Sequence, residues 1–123
     1  MNKLFRQLVF FGLFFGAIGC GAALFKPEVD IGVVNSTAHD ITDVYIRFGQ
    51  NGCRWKVVRP TFSAIYGLFR HPIRNEAEVS WNQAGKKRVE TVSIKDVYPG
   101  RKDGLLMFSV FEDRVTVSFE ARN

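Results

Sequence analysis

Ser36, His39 and Asp40 are the residues whose types suggest nucleophilic catalysis, and they lie within five positions of one another. In a catalytic triad the serine attacks a carbonyl, the histidine takes its proton, and the carboxylate orients the histidine. Those groups converge from separate parts of a fold, which neighbours on one turn rarely do. We therefore expect a loop in which Asn35, Ser36 and Asp40 hydrogen-bond to nearby backbone, and no catalytic residue.

The remaining polar residues do not indicate metal or cofactor chemistry. His39 and His71 are far apart in the sequence, and the two cysteines form no CxxC pair. Structural zinc sites bring several such ligands together at short spacings, and calcium loops repeat acidic residues at fixed positions. No glycine-rich loop stands between a strand and a helix, as phosphate binding requires. We expect no metal, no cofactor, no small-molecule substrate and no enzymatic activity.

Cys20 is a thiol whose position does suggest chemistry, because it follows an apolar run near the start of the sequence. Lys3 and Arg6 precede this run over residues 8–18, and small residues surround the cysteine. A charged segment, an apolar stretch of about 7–15 residues and a small-residue cleavage site define an export signal. Everything after this segment is expected to work outside the cytoplasm.

The tetrapeptide Ala17-Ile18-Gly19-Cys20 resembles the lipobox of exported bacterial lipoproteins. The resemblance implies that residues 1–19 are a signal peptide, that the Cys20 thiol carries diacylglycerol, and that residues 20–27 are a lipidated tether. Gly21 after the cysteine resembles the pattern of outer-membrane lipoproteins. The implied location is the cell envelope, facing the periplasm, with the outer membrane favoured over the inner one.

Two other interpretations of the leader stay open. Residues 8–25 number 18, the lower limit for a helix that spans a bilayer, and Gly12 and Gly16 would share one face of it. The leader would then be kept as an anchor helix. In the other interpretation an ordinary peptidase removes it and Cys20 is incidental. All three place the C-terminal part on the same side of the membrane.

Composition indicates one exported domain without an affinity for nucleic acid. Removal of residues 1–19 leaves 104 of the 123 residues, enough for one hydrophobic core. The formal charge then falls from +5 to +3, because Lys3 and Arg6 are lost. So small an excess, with acidic residues spread throughout, does not favour nucleic-acid binding. With Cys20 lipidated, Cys53 has no intrachain disulfide partner, and we expect it to be buried.

The elements that must position any site are strands, because apolar and polar residues alternate after Pro27. The clearest alternations cover residues 29–33, 44–48, 55–57, 79–81, 106–110 and 115–119, with less regular ones at 61–65 and 87–94. Turn residues, as at 49–52 and 82–85, separate them. Seven or eight short strands indicate an antiparallel sandwich or a small barrel, and we predict an all-β antiparallel sandwich over residues 28–123. We expect its core to contain Trp55, Trp81, Phe108 and Phe119.

Residues 66–74 lack a clean alternation, and we expect them to form a loop. The segment mixes aromatic, aliphatic and basic side chains, and aromatic residues and arginine are enriched at protein interfaces. We predict that a partner protein is bound there by Tyr66, Phe69, Arg70, His71 and Arg74. In the alternative, Leu68, Phe69 and Ile73 close an open end of the sandwich and the arginines are solvated. The basic residues 86–88, with 101–102, are a second candidate.

The segments Asn35-Ser36-Thr37, 66–73 and Glu78-Val79-Ser80-Trp81 together resemble the small envelope lipoproteins that accompany type VI secretion lipase effectors. Those lipoproteins are immunity proteins, which block in the periplasm the toxin that arrives there. The resemblance implies a membrane-anchored binding module whose partner is a toxic effector, and it assigns no role to an individual residue. The alternative is a structural adaptor, similar to the transthyretin-like lipoproteins that tether a secretion complex to the outer membrane.

Overall fold

The computed structural model describes residues 27–122, which form eight strands in two sheets of four. The strands are β1 (Val29–Asn35), β2 (Ile41–Phe48), β3 (Asn51–Val58), β4 (Ser63–Phe69), β5 (Glu76–Gln83), β6 (Lys86–Ser93), β7 (Gly104–Val110) and β8 (Val115–Ala121). The all-β sandwich predicted from the alternation is confirmed. The predicted leader or anchor helix and Cys20 lie outside the described residues. None of the described residues forms a helix long and apolar enough to cross a membrane.

The two sheets have the orders β4-β1-β7-β8 and β3-β2-β5-β6, so β4, β8, β3 and β6 are the edge strands. Neighbouring strands are antiparallel except β1 and β7, which run parallel, with Val29 opposite Gly104. The chain leaves the first sheet after β1, forms β2 and β3 of the second sheet, and returns to the first sheet as β4. It then adds β5 and β6 to the second sheet and ends in the first sheet as β7 and β8. Alternation along one strand determines which side chains are buried, but it does not determine the direction of the neighbouring strand.

The inward side chains of both sheets make one core. Trp81 and Phe108 are fully buried, as expected, whereas Trp55 and Phe119 are half-buried and pack against the core from its margin. Cys53 is buried, as expected, and desolvation raises the pKa of its thiol to about 12. The thiol is therefore protonated and unreactive at neutral pH, because the thiolate is the nucleophile.

Asn35, at the end of β1, is a buried polar residue whose side chain makes four hydrogen bonds. Its amide nitrogen donates to the carbonyls of His39 and Val58, both at 2.8 Å. Its amide oxygen accepts from the backbone N–H of Thr37 at 2.8 Å and from the Thr37 hydroxyl at 2.6 Å. The expectation of local hydrogen bonding is thus confirmed for Asn35. The side chains of Ser36 and Asp40 make no hydrogen bond to a described residue, so this part of the expectation is wrong.

We expect Asn35→Ala to lower the free energy of unfolding by about 2–3 kcal/mol, because several buried polar groups lose their partners at once. Urea denaturation followed by circular dichroism measures this loss. Asn75→Ala is the matched control, because Asn75 is exposed and contributes its backbone carbonyl, which the substitution keeps. It is expected to change stability by less than about 0.5 kcal/mol. Equal losses for the two variants would contradict a structural role of the Asn35 amide.

Candidate protein-binding surface

Strand β4 contains the first half of the segment that the sequence indicated as a partner-binding loop. Residues 66–69 belong to this strand, so the expectation of a loop is wrong for them. Among residues 27–122, β4 pairs with β1 on one side and with no strand on the other. Its outer backbone N–H and C=O groups are therefore available for pairing with a further strand.

A bulge in β4 explains why its alternation is irregular. Tyr66 pairs with Ile31, and Phe69 pairs with Val29, so two residues of β4 lie opposite the single residue Asp30. An extra residue in one strand shifts the order of inward and outward side chains beyond it. Phe69 thereby becomes an inward residue, which a regular count from the start of β4 does not predict.

The bulge is held in place by the carboxylate of Asp30. One carboxylate oxygen accepts the backbone N–H of Leu68 at 2.8 Å, and the other accepts the guanidinium of Arg122, also at 2.8 Å. Leu68 has a φ of 54°, in the left-handed region that is uncommon for residues other than glycine. The backbone is thus fixed in a conformation that leaves the Leu68 side chain in solvent.

The five residues predicted to bind a partner fall in three different environments. Phe69 is only 5% exposed, and its ring centroid lies 5.3 Å from that of Phe48, so it is part of the core. Tyr66 is exposed on β4. Arg70, His71 and Arg74 are exposed in the connection between β4 and β5. Phe69 therefore closes the end of the sandwich, as in the alternative interpretation.

Exposed apolar side chains gather along β4 and the adjacent end of β3. Their exposed fractions lie between 41% and 60%, and the set, which we name the β4 patch, consists of Val57, Phe62, Ile65, Tyr66 and Leu68. Ile65 and Tyr66 are successive residues of the strand, so their side chains lie on opposite faces of the sheet, one on each side of its open edge. Exposed apolar residues concentrated at one edge are typical of an interaction site. Sequence reasoning selected Tyr66 and missed the other residues as interface candidates, because their strand was not known to be an edge.

β4 is also the edge strand that carries no charged residue. The other edge strands contain Arg54 and Lys56 in β3, Lys86, Lys87, Arg88 and Glu90 in β6, and Glu120 in β8. Charges on an edge strand prevent pairing with foreign strands, and natural sheets use them for this purpose. β4 lacks this protection and combines unpaired backbone groups with apolar side chains. Such an edge is suited to accept an extended segment of another protein.

A groove of about 520 Å³ lies at the end of the sandwich where β4 ends. It is lined mainly by apolar surface, with Leu68, Phe69, Ile73 and Tyr98 on its walls and Arg70 and Arg101 among its polar residues. Tyr98 packs edge-on against Phe119 with ring centroids 5.0 Å apart, and burial raises the pKa of its hydroxyl. Leu68 belongs to both the groove and the β4 patch, so the two surfaces are continuous.

Groups of His, Cys, Asp or Glu able to hold a metal ion are absent from residues 27–122. His39 and His71 are both exposed, His39 in the loop after β1 and His71 in the connection after β4.

No family model and no curated protein matches this sequence. Among solved structures, a protein from Eubacterium rectale determined by NMR has a similar fold, with a TM-score of 0.51 and 14% sequence identity. The match covers 88% of this chain and 98% of that chain. At this level of identity the likeness shows the fold alone.

Proposed function

We propose that this protein is a membrane-anchored binding module of the periplasm, and specifically an immunity protein that neutralises a secreted toxic effector such as a type VI lipase. The observation that carries the proposal is the β4 patch on an uncharged edge strand. The β4 patch places exposed apolar side chains beside open backbone groups, which is the arrangement that strand addition between proteins uses. The leader that resembles a lipobox supports the location, and the resemblance to immunity lipoproteins supports the class of partner.

Neutralisation by this surface requires no chemistry from the chain. An extended segment of the toxin pairs with the outer edge of β4, and its side chains contact Ile65, Tyr66 and Leu68. Backbone pairing supplies affinity in this mode, and the side-chain contacts supply specificity. Binding at the entrance of the toxin's active site then blocks the substrate sterically.

The test of this proposal uses calorimetry to compare how the parent protein and the Ile65→Lys variant bind effector candidates encoded beside this gene. The lysine places a charged residue on β4, as the other three edge strands have, and the substitution removes an apolar contact. We expect affinity to fall about 30-fold or more, the effect of about 2 kcal/mol that defines an interface hot spot. The midpoint of thermal unfolding should stay close to that of the parent protein, because Ile65 is exposed.

The matched control is Val89→Lys, an equivalent change on the edge strand β6. Val89 is 50% exposed and Ile65 is 54% exposed, so the two substitutions remove similar apolar surface. We expect Val89→Lys to bind the toxin with unchanged affinity. Equal affinity for both variants and the parent would refute binding through β4. If the bound partner is a subunit of an envelope secretion complex and not a toxin, the alternative function as a structural adaptor takes its place.

A further inference from the structure

The end of the sandwich where the chain enters at Pro27 is rich in basic residues. The start of β1, the end of β4 and the start of β7 meet there, since Val29 pairs with both Phe69 and Gly104. The connections at this end are residues 70–75 and 94–103, together with the turn between β2 and β3. The two longer connections contain five basic residues and two acidic ones; the basic residues, which we name the basic end, are Arg70, Arg74, Lys95, Arg101 and Lys102.

The opposite end of the sandwich also carries basic residues, because Lys86, Lys87 and Arg88 begin β6 beside the turn at residues 84–85. Its connections are residues 36–40, 59–62, 84–85 and 111–114. Together they contain two basic and three acidic residues, which are Arg59, Arg114, Asp40, Glu112 and Asp113. The two ends are therefore distinguished by their position and not by their charge, because the chain enters the sandwich at the basic end.

All five side chains of the basic end are exposed, and none forms an ion pair with another residue in the range 27–122. Arg47, Arg114 and Arg122, in contrast, are paired with carboxylates. Glu28 and two aspartates share this end, and the carboxylate of one of them, Asp103, accepts the backbone N–H of Glu28 at 2.7 Å. The basic side chains are thus open to an external anion.

We propose that the basic end docks on the anionic phospholipid surface of the membrane that holds the leader or its lipid. Six residues separate Cys20 from Pro27, so seven Cα-to-Cα steps join the two residues. Fully extended they span at most about 25 Å, so a chain anchored at Cys20 keeps this end close to the bilayer. Ile73 lines the groove together with Arg70 and Arg101 and adds apolar contact with the interface.

Electrostatic attraction to an anionic bilayer acts over a short range. Screening limits this attraction to about 10 Å at 0.1 M salt, so the basic residues at the end that faces the membrane contribute most of it. Each basic residue near the surface is expected to strengthen binding about fivefold. Docking by this end points the strands away from the bilayer, and the β4 patch then faces sideways, where an arriving protein has access to it. The inference rests on the membrane anchor and is independent of what the β4 patch binds.

The test is amide hydrogen exchange, followed by mass spectrometry, on the full protein reconstituted through its own N-terminal segment. Vesicles of phosphatidylcholine with phosphatidylglycerol are compared with vesicles of phosphatidylcholine alone. We expect exchange in residues 70–75 and 94–103 to slow several-fold in the anionic vesicles, and this protection to disappear in 0.5 M salt, where the range of the interaction is about halved. Residues 36–40 and 111–114 should exchange equally in both, which makes the opposite end an internal control.

The double variant Arg70→Glu/Arg101→Glu should remove the protection. Lys86→Glu/Lys87→Glu is the matched control, because it reverses two exposed basic residues near the turn between β5 and β6, at the opposite end, and it should keep the protection. Equal exchange in the two kinds of vesicle, protection that resists salt, or protection lost in both variants would overturn the proposal. No toxin is present in this experiment, so a negative result does not affect the proposal that β4 binds a toxin. In the same way, a failure of toxin binding does not affect the proposal that the basic end docks on the membrane.

Discussion

Replacing Cys20 with serine is expected to abolish lipid attachment and the normal cleavage of residues 1–19. Lipid attachment in the lipobox family requires the cysteine thiol, which a hydroxyl does not replace. Each methylene of a bound acyl chain contributes about 0.8 kcal/mol to membrane binding, and two chains give a stable anchor. The variant should therefore lose the mass of the lipid, which mass spectrometry of the N-terminal peptide detects directly.

Cys53→Ser is the control for this experiment, because it removes the other cysteine of the sequence. Cys53 is buried and its thiol is protonated, so its replacement should leave the lipid and the cleavage site unchanged. A mature protein that begins at a residue other than Cys20 would rule out lipoprotein processing. An intact chain that begins at Met1 would favour the uncleaved anchor helix.

Truncation of Trp81 to alanine is expected to cost about 3–5 kcal/mol of unfolding free energy, which is a large part of the stability of a small domain. Trp81 lies on β5, between β2 and β6, and its side chain is fully buried. The substitution leaves a large cavity in the core, and it also removes the hydrogen bond from the indole nitrogen to the Gln83 amide at 3.0 Å. Urea denaturation followed by far-ultraviolet circular dichroism measures the loss.

Trp55→Ala is the matched comparison, since Trp55 lies on the edge strand β3 and is only half-buried. We expect a smaller loss of about 1–2 kcal/mol, because part of its apolar surface is already in water. Trp81→Phe should also cost less than Trp81→Ala, because it keeps most of the buried volume. A loss for Trp55→Ala as large as that for Trp81→Ala would contradict the placement of Trp81 at the centre of the core and of Trp55 at its margin.

The sequence by itself determined the features that depend on local pattern. Alternation in β1, β2 and β7 placed their apolar side chains on one face, since successive side chains of a strand point to opposite faces. The turn expected at residues 82–85 forms the hairpin between β5 and β6, with positive φ at Ala84 and Gly85. Such short-range signals were sufficient to predict a sandwich, and the residue type of Cys53, without a disulfide partner, was sufficient to predict its burial.

Only the tertiary structure decided which strands lie at the edges and which connections share an end. The parallel pairing of β1 with β7 and the edge position of β4 depend on contacts between residues distant in the sequence, and periodicity along one strand contains no information about them. The burial of Phe69 depends on a bulge held by the Asp30 carboxylate from another strand. The basic end likewise exists because residues 70–75 and 94–103 meet where the two sheets end. These features arise from strand pairing, and pairing is set by the packing of the whole domain.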